Sequence, residues 1–288
     1  MPTYNRRELL GPALASVLAQ TFTGYEVIVI DDGSTDGTWE QLQMLESRLY
    51  RIRQENAGPG GARNLGAQHA SGDYLAFLDS DDLWFPWTLA TYAAVIKQQD
   101  PAFIAGKPFC FENENQLESV TSEFMVCDVF KDYLASGDKW RWYGVSSFVV
   151  RRNVFTGVGG FTNQSVNGED ADLALRLGTA DGFVHITKPF SFGYREHGVS
   201  AMKDFSRTVA GCHMNVRKER ADAYPGGSAR ATARRRILTR HVRPVTLECL
   251  RMGLHADAWQ LYRETFSWHV RLGRWKYLLG FPMKAFLS

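Results

Sequence analysis

Two stretches decide the fold class: YEVIVIDDG at residues 25–33 and YLAFLDSDD at residues 74–82. Each is a short apolar run that ends in acidic residues, which is typical of a buried β-strand followed by a turn. Between them, apolar residues at helical spacing predict helices over 36–50, capped by Asp36, and over 59–70, with a strand at 50–54. This alternation predicts an α/β fold whose mostly parallel central sheet is flanked by helices.

The remainder of the chain continues the alternation and then changes character. We predict a helix over 85–98, strands over 103–112 and 148–151, a helix over 169–177, and strands over 183–186 and 190–194. From about residue 203 the chain becomes helical, with a linker at PGGS 225–228. Residues 1–202 carry 16 Lys/Arg against 25 Asp/Glu, whereas residues 203–288 carry 17 against 6. An acidic front and a basic back predict two regions with different tasks.

Cysteine usage and the absence of export signals favour a cytoplasmic protein. Cys110, Cys127, Cys212 and Cys249 form no CxxC pair, so neither structural zinc nor a disulfide framework is indicated. The start, MPTYNRRELL, lacks the pattern of a secretory signal peptide, and no run of 18 apolar residues predicts a transmembrane helix.

The end of the strand at 74–78 carries candidate metal ligands. Asp79 and Asp81 are two residues apart, so both carboxylates face one side if the strand persists through Asp81. Two hard oxygen ligands suit Mg²⁺ or Mn²⁺, and such an ion can bridge and neutralise a diphosphate. The alternative is a solvated Asp-rich turn, which is common after strands.

Several motifs occur together and in a fixed order. They are MPTYNR, VIDDGSTDGT, ENAGPGGARNLGA, FLDSDD, SSFVVRRNVFTGVGGF, NGEDADLALRL and YREHGVSAM. Together they resemble family 2 glycosyltransferases of the GT-A fold over residues 1–202. The resemblance implies a metal-dependent, inverting transfer of a sugar from a nucleotide-diphosphate sugar, most commonly UDP-linked, to an acceptor hydroxyl. It leaves residues 203–288 as a basic, helical, amphipathic extension.

The resemblance also implies roles for individual residues in binding the donor. Pro2, Thr3 and Tyr4 match the segment that lines the nucleoside pocket, and Asp32 matches the acidic residue that contacts the base. Arg63 matches a position near the donor phosphates, and Arg195 is a further candidate for holding the pyrophosphate. Asp79 matches the contact to ribose or metal, Asp81 the direct metal ligand, and His197 a residue that completes the metal or diphosphate site. The implied cofactor is Mg²⁺ or Mn²⁺.

The same resemblance makes Asp170 the candidate general base. An acceptor hydroxyl attacks the anomeric carbon from the face opposite the leaving diphosphate, and a carboxylate on that face must take its proton. Glu169 is a candidate acceptor contact, and Trp140 is a candidate platform for a sugar ring. The alternatives are that acidic residues in a first helical turn favour the helix dipole and that the tryptophan belongs to the core.

The beginning of the chain raises a further expectation. Family members usually have an apolar strand before the PTYN segment, where this chain has only Met1. That strand would lie between the strands ending at Asp32 and Asp79, so its loss would leave unpaired backbone and a gap in the core. We therefore expect the natural protein to start several residues upstream, or this chain to be a truncated product.

In the extension, basic residues mixed with Trp and Phe suit either an interfacial membrane helix or a helical cap. The acceptor is then a glycan or lipid-linked molecule of bacterial surface polysaccharide or glycolipid synthesis, met at the inner face of the plasma membrane. The acidic front argues against nucleic acid as a partner. Competing functions are a sugar nucleotidyltransferase, which would need a Gly-rich basic loop where PTYNRR stands, and a catalytically inactive glycan- or nucleotide-sugar-binding protein.

Overall fold

The computed structural model describes residues 1–45, 49–137, 144–196 and 204–287. The chain divides into two compact units, and each has its own core. The first, here the sheet unit, comprises the described residues of 1–131, 141–165 and 180–199. The second, here the helical unit, comprises the described residues of 132–140, 166–179 and 200–288.

The sheet unit begins with a three-stranded parallel sheet in the order β1-β2-β3. Its elements are β1 (Pro2–Thr3), α1 (Arg7–Leu18), β2 (Val27–Asp31), α2 (Thr38–Met44), β3 (Leu49–Arg53) and α3 (Gly58–His69). The predicted helix over 36–50 is therefore too long, because its last residues, Leu49 and Tyr50, belong to β3. The predicted cap at Asp36 is wrong by one residue, because Gly37 occupies the N-cap position; Asp36 Oδ1 instead accepts the backbone N–H of Thr38, the first residue of α2, at 3.0 Å.

A five-stranded sheet in the order β4-β9-β6-β10-β8 follows, and it is mixed. Strands β6 and β10 are parallel, whereas β9 runs antiparallel to both β4 and β6. A small third sheet pairs β11 with β5 and β7. The elements are β4 (Tyr74–Ala76), β5 (Leu83–Trp84), α4 (Thr88–Gln99), β6 (Phe103–Gly106), β7 (Pro108–Phe111), β8 (Val126–Phe130), β9 (Val149–Arg151), α5 (Arg152–Gly157), β10 (Phe183–Lys188) and β11 (Phe192–Arg195).

A cavity of about 760 Å³ lies inside the sheet unit, between β2 and β4. Its lining is mostly apolar and includes Val27, Ile28, Leu75, Ala62 and Tyr92. Strand β1 has only two residues, and it pairs with Ile30 and Asp31 at the end of β2. The cavity lies between the strands that end near Asp32 and Asp79, and the expectation of a further strand there stays a prediction.

The helical unit is built from five described α-helices that pack around an apolar core. They are α6 (Glu169–Arg176), α7 (Phe205–Arg220), α8 (Gly227–Arg251), α9 (His255–Arg271) and α10 (Trp275–Leu287). Tyr262 of α9 stacks on Phe281 of α10 with ring centroids 4.4 Å apart, so the aromatic residues of the extension supply its core. The predicted linker at 225–228 is too long, because α8 already begins at Gly227. Among the described residues, no helix is both long and apolar enough to cross a membrane.

The α/β architecture with a helical C-terminal region is confirmed. The boundary predicted at residue 202 stays a prediction, and the structure adds that residues 166–179 group with the later helices.

Candidate functional site

The two aspartates predicted to bind metal lie in a turn and not on a strand. β4 ends at Ala76, and the turn is closed by the backbone N–H of Asp82 donating to the carbonyl of Asp79 at 3.2 Å. Strand alternation therefore does not orient these side chains, contrary to the condition under which they would share a side. The side chains of Asp79 and Asp81 keep 32% and 23% of their exposure, so an ion can reach both.

Each of these carboxylates faces its own arginine. Arg63 Nη2 lies 2.5 Å from Asp79 Oδ1, and Arg6 Nε lies 3.5 Å from Asp81 Oδ2. Arg6 was missed by the sequence analysis, although it belongs to the quoted MPTYNR motif. The result is a cluster of alternating charges at one edge of the sheet unit, with cations able to meet phosphate oxygens.

Arg63 is held rigidly on α3. Its side chain is 5% exposed, and its guanidinium carbon lies 5.1 Å from the centre of the Phe161 ring. Asn64 holds the backbone that carries this ring: its side-chain N–H donates to the Phe161 carbonyl at 3.0 Å, and its side-chain oxygen accepts the Phe161 N–H at 2.8 Å. At Gly60 a Cβ atom would come within 2.4 Å of the Thr162 carbonyl oxygen. This glycine therefore permits close packing of the 160–162 segment, a role that the sequence analysis did not anticipate.

Arg195 reaches the same cluster from β11. Its Nε donates to the carbonyl of Asp81 at 3.1 Å, and its Nη2 lies 2.7 Å from Glu114 Oε1. The guanidinium also lies over the Phe111 ring at 4.8 Å. Glu114 gave no signal in the sequence, because it lies outside the quoted motifs and only the fold brings it to β11.

A buried carboxylate, Asp82, hydrogen-bonds to the backbone of Arg195, a member of this cluster. Asp82 is 4% exposed, and it accepts the hydroxyl of Ser146 at 2.5 Å and the backbone N–H of Arg195 at 3.1 Å. Burial, followed by the negative charges of Asp81 and Asp79, raises the pKa of Asp82 well above its usual range. Asp82 belongs to the acidic run at residues 79–82, but its supporting role cannot be predicted from the sequence, because its burial is a tertiary property.

The predicted nucleoside-binding residues lie beside the end of β2. Pro2 and Thr3 form β1, Tyr4 is exposed, and Asp32 is 3% exposed. Asp32 Oδ1 accepts from Gln54 Nε2 at 2.6 Å and from the Ala57 N–H at 2.9 Å. The hydroxyl of Thr3 is buried without a hydrogen-bond partner among the described residues. Because buried polar atoms are normally paired, this hydroxyl is suited to a polar group of a ligand.

The donor set at the turn fits a hard divalent ion. Mg²⁺ is usually held by one or two carboxylates together with substrate phosphates, and Asp79 and Asp81 supply two carboxylates beside three arginines. Within the described part of the chain, no three His, Cys, Asp or Glu residues are grouped closely enough to hold a metal by themselves. His197, the third predicted ligand, lies outside the described residues.

The candidate base belongs to the helical unit. Glu169 and Asp170 are half-buried in the first turn of α6, directly after Gly168, whose φ of 97° is in the left-handed region. The candidate sugar platform Trp140 lies outside the described residues. The roles of all these residues stay predictions.

Comparison with known sequences identifies relatives of the N-terminal half. The family model described as "Glycosyl transferase family 2" matches residues 1–159. The chain is 37% identical over 108 residues to the Escherichia coli UDP-Glc:alpha-D-GlcNAc-diphosphoundecaprenol beta-1,3-glucosyltransferase WfgD. This match covers 37% of this chain and 43% of WfgD. It is 45% identical over 87 residues to the putative teichuronic acid biosynthesis glycosyltransferase TuaG of Bacillus subtilis, and this match covers 29% of this chain and 34% of TuaG. These matches span less than half the length of either relative.

Solved structures share the fold over most of the chain. S. aureus TarS 1-349 in complex with UDP-GlcNAc superposes with a TM-score of 0.67 at 16% identity, and the match covers 92% of this chain and 77% of the TarS 1-349 chain. The mannosyltransferase PcManGT from Pyrobaculum calidifontis, in complex with GDP-Man and Mn²⁺, gives a TM-score of 0.54 at 17% identity. The match covers 99% of this chain and 84% of the PcManGT chain. The GT-A fold expected from the motifs is confirmed.

Proposed function

The chain belongs to glycosyltransferase family 2, and on this premise we propose that it transfers a sugar from a UDP-sugar to an acceptor hydroxyl with inversion at the anomeric carbon. The observation that carries the proposal is the cluster of Asp79, Asp81, Arg63 and Arg195 at one edge of the sheet unit. Two carboxylates for a divalent ion beside fixed guanidinium groups match the chemistry of a nucleotide diphosphate.

The donor is bound by the sheet unit. The nucleoside lies against Pro2, Thr3 and Tyr4, where the buried Thr3 hydroxyl receives a polar partner, and Asp32 accepts from the base. Arg63 and Arg195 contact the diphosphate. Both guanidinium groups are already oriented by neighbouring rings and carboxylates, so little side-chain entropy is lost when the donor binds.

Asp81 and Asp79 would hold Mg²⁺ or Mn²⁺, and His197 is the predicted third ligand. When bound, the ion neutralises the charge that develops on the departing diphosphate. The complex of PcManGT with GDP-Man and Mn²⁺ supports metal use in this fold. Arg63 and Arg195 place further positive charge beside the same leaving group.

Asp170 acts as the general base. It takes the proton of the acceptor hydroxyl as that oxygen attacks the anomeric carbon, and the bond from this carbon to the diphosphate breaks on the opposite face. Glu169 and Trp140 contact the acceptor. Because the relatives include a glucosyltransferase named for a diphosphoundecaprenol acceptor and a putative teichuronic acid enzyme, we propose a lipid-linked or glycan acceptor in bacterial cell-surface synthesis.

A donor screen tests this proposal. The protein is incubated with Mn²⁺ or Mg²⁺ and a panel of nucleotide sugars, while thermal stabilisation and released nucleoside diphosphate are recorded. We expect metal-dependent stabilisation by one donor and its loss in Asp81→Ala. Asp170→Asn should retain the stabilisation but lose slow donor hydrolysis. The control Glu40→Ala removes an exposed carboxylate on α2 and should behave as the parent. No response to any donor by folded protein would favour a binding protein without activity.

The helical unit offers a surface that suits an anionic membrane. Four apolar residues of α10 lie within one arc of the helix and are 57–84% exposed, here the α10 stripe: Trp275, Leu279, Met283 and Phe286. Exposed Arg271, Lys276 and Lys284 lie nearby in the sequence. Such a combination inserts apolar side chains among acyl chains and attracts anionic headgroups. We therefore propose peripheral association with the inner face of the plasma membrane through α10.

The arginine-rich stretch of α8 does not support the same surface. Arg234 is fully buried, with its Nε 2.5 Å from Glu219 Oε2, and Arg235 Nε lies 2.8 Å from Glu219 Oε1. Arg243 Nε donates to the Thr239 carbonyl at 3.1 Å. Several of the basic residues that suggested a membrane helix in the sequence are therefore part of the internal structure of the helical unit.

Vesicle flotation tests the α10 stripe. We expect the parent protein to float with phosphatidylglycerol-containing vesicles and the double variant Leu279→Asp/Phe286→Asp to stay in solution. The matched control is Phe124→Asp, which changes a residue that is 95% exposed in the sheet unit and should float as the parent does. Equal flotation of parent and double variant would exclude α10 as the docking surface, and no flotation of the parent would exclude membrane association.

A further inference from the structure

The carboxylate two residues after the candidate base is unusually well held. Asp172 has no exposed side-chain surface. Its Oδ2 lies 2.9 Å from Arg176 Nε, and its Oδ1 lies 2.7 Å from Lys218 Nζ and 2.9 Å from the Tyr224 hydroxyl. Two cations and a hydroxyl thus meet one buried carboxylate. A buried carboxylate is costly unless it is paired, and the three partners both compensate the burial of Asp172 and fix the direction of its side chain.

The entry into α6 is held by the same helix that supplies Lys218. Asn167 donates its backbone N–H to the Arg207 carbonyl at 3.2 Å and its side-chain amide to Thr208 Oγ1 at 3.0 Å. At Gly211 a Cβ atom would come within 1.8 Å of the Asn167 carbonyl oxygen, so α7 approaches this segment more closely than any side chain would allow.

Asn215 links the two attachments. Its amide donates to the Gly168 carbonyl at 3.4 Å, and its Oδ1 lies 3.1 Å from the Tyr224 hydroxyl. The residues on both sides of Asp170 are therefore tied to α7 and Tyr224.

Helical geometry connects this anchor to Asp170. Successive residues of an α-helix are rotated by about 100°, so residues two apart point to nearly opposite sides. Anchoring Asp172 on one face of α6 therefore sets the direction in which Asp170 projects from the other. A rotation of α6 would move both carboxylates together.

We propose that Lys218 and Tyr224 are positioning residues. They hold Asp172 and thereby fix the rotation of α6, which sets the direction in which Asp170 projects as the general base. The inference rests on the proposed function of Asp170. It gives the C-terminal helices a part in transfer itself, in addition to any contact with a membrane. Neither residue needs to touch the donor or the acceptor.

The variants Lys218→Met and Tyr224→Phe test the proposal. With the donor found in the screen, we expect kcat of donor hydrolysis to fall about tenfold while KM for the donor stays within twofold, because the donor residues belong to the sheet unit. Lys218→Arg keeps a cation at this position and should therefore retain most of the parent's kcat. The matched control is Tyr277→Phe, which removes a buried hydroxyl 2.8 Å from Thr246 Oγ1 in the same unit.

Hydrogen exchange gives a readout that needs no activity. Amides of residues 168–172 should exchange faster in Lys218→Met and Tyr224→Phe than in the parent or in Tyr277→Phe. Unchanged exchange at 168–172, or a rate loss equal to that of Tyr277→Phe, would overturn the inference. If Asp170→Asn keeps full activity, the proposed base itself is wrong. If Asp170→Asn is inactive while Lys218→Met and Tyr224→Phe keep kcat within twofold, only the positioning role fails.

Discussion

Arg63 makes two contacts that a lysine cannot reproduce together. Its guanidinium is paired with Asp79 at 2.5 Å and lies over the Phe161 ring, and its planar shape lets one group make both contacts, whereas the compact ammonium of lysine is a single point charge. The side chain is almost fully buried, so its direction is set before any donor arrives. Of the two arginines assigned to the diphosphate, Arg63 is the more deeply buried, with a side chain 5% exposed against 11% for Arg195.

We expect Arg63→Lys to weaken binding of the nucleotide sugar about tenfold, on the order of 1.4 kcal/mol, as for a lost hydrogen bond to a charged group. Calorimetric titration with the donor measures this change. Arg152→Lys is the control, because Arg152 bonds the Gly72 carbonyl at an exposed position of the same unit. Equal affinity of Arg63→Lys and the parent would remove Arg63 from the donor site.

His269 is a second residue whose environment has a measurable consequence. It is fully buried on α9, its ring centroid lies 4.4 Å from that of Tyr277, and neither ring nitrogen has a hydrogen-bond partner among the described residues. Burial, with the charges of Arg274 and Arg243, lowers the pKa of His269 to about 3. The folded protein therefore keeps this ring neutral.

We expect the free energy of unfolding to fall as the pH drops below about 6.5, because the unfolded chain then binds a proton that the folded chain does not. One such group contributes up to about 1.4 kcal/mol per pH unit until its folded pKa is reached. Denaturant unfolding at several pH values should show a smaller loss in His269→Phe, whereas His69→Phe, at an exposed position, should follow the parent. The same loss in all three proteins would contradict the assignment.

At the scale of elements, the cavity between β2 and β4 lies beside an edge strand of the larger sheet. β4 pairs with β9 on one side, and among the described strands no partner is paired to its other edge. Apolar residues of α3 and α4 line the space, so it is suited to an extended apolar segment with free backbone groups. Strand β1 is too short to fill it.

We expect an apolar peptide such as VSVII, added before Met1, to raise the melting temperature by several degrees. Filling the cavity buries apolar side chains, and each kcal/mol gained is worth about 2–4 °C in a protein of this size. Differential scanning calorimetry of the parent, the VSVII variant and a Gly/Ser variant of equal length makes the comparison. Equal melting temperatures of the VSVII and Gly/Ser variants would show that no strand is accommodated there.

At the scale of the whole molecule, charge is divided between the two ends of the chain. The excess of basic residues after residue 203 is partly internal, since Arg230, Arg234 and Arg235 pair with Asp132 and Glu219 within the helical unit. The charge left for a membrane is therefore smaller than the sequence suggests. Apolar insertion of the α10 stripe must then supply a large part of any membrane affinity.

This division predicts an intermediate response to salt. Raising NaCl from about 50 to about 500 mM shortens the screening length several-fold, so flotation with anionic vesicles should weaken but persist. The Lys276→Gln/Lys284→Gln variant should lose most of the salt dependence while keeping the apolar part of the binding. Complete loss of parent flotation at high salt would mean that α10 contributes charge alone.

How far the sequence predicts the site can be judged from particular residues. Asp79, Asp81, Arg63 and Arg195 were named from their motifs, and the structure brings them together. Arg6 lay inside a quoted motif but received no role, and Glu114 gave no signal at all. Sequence spacing also suggested that strand alternation would orient Asp79 and Asp81, whereas a turn does so after β4 ends at Ala76. Short-range patterns predict which chemistry is present, but not which partner each side chain meets.

The sequence by itself determined the α/β class, the order of the early strands and helices, and the family, because hydrophobic periodicity and ordered motifs are local properties. The tertiary structure alone decided that the larger sheet is mixed, that Asp82 and Asp172 are buried, and that the arginines of α8 serve internal ion pairs. It also grouped α6, with Asp170, among the C-terminal helices. The physical reason is that burial, ion pairing and strand partners depend on residues distant in the chain, whose meeting no local pattern encodes.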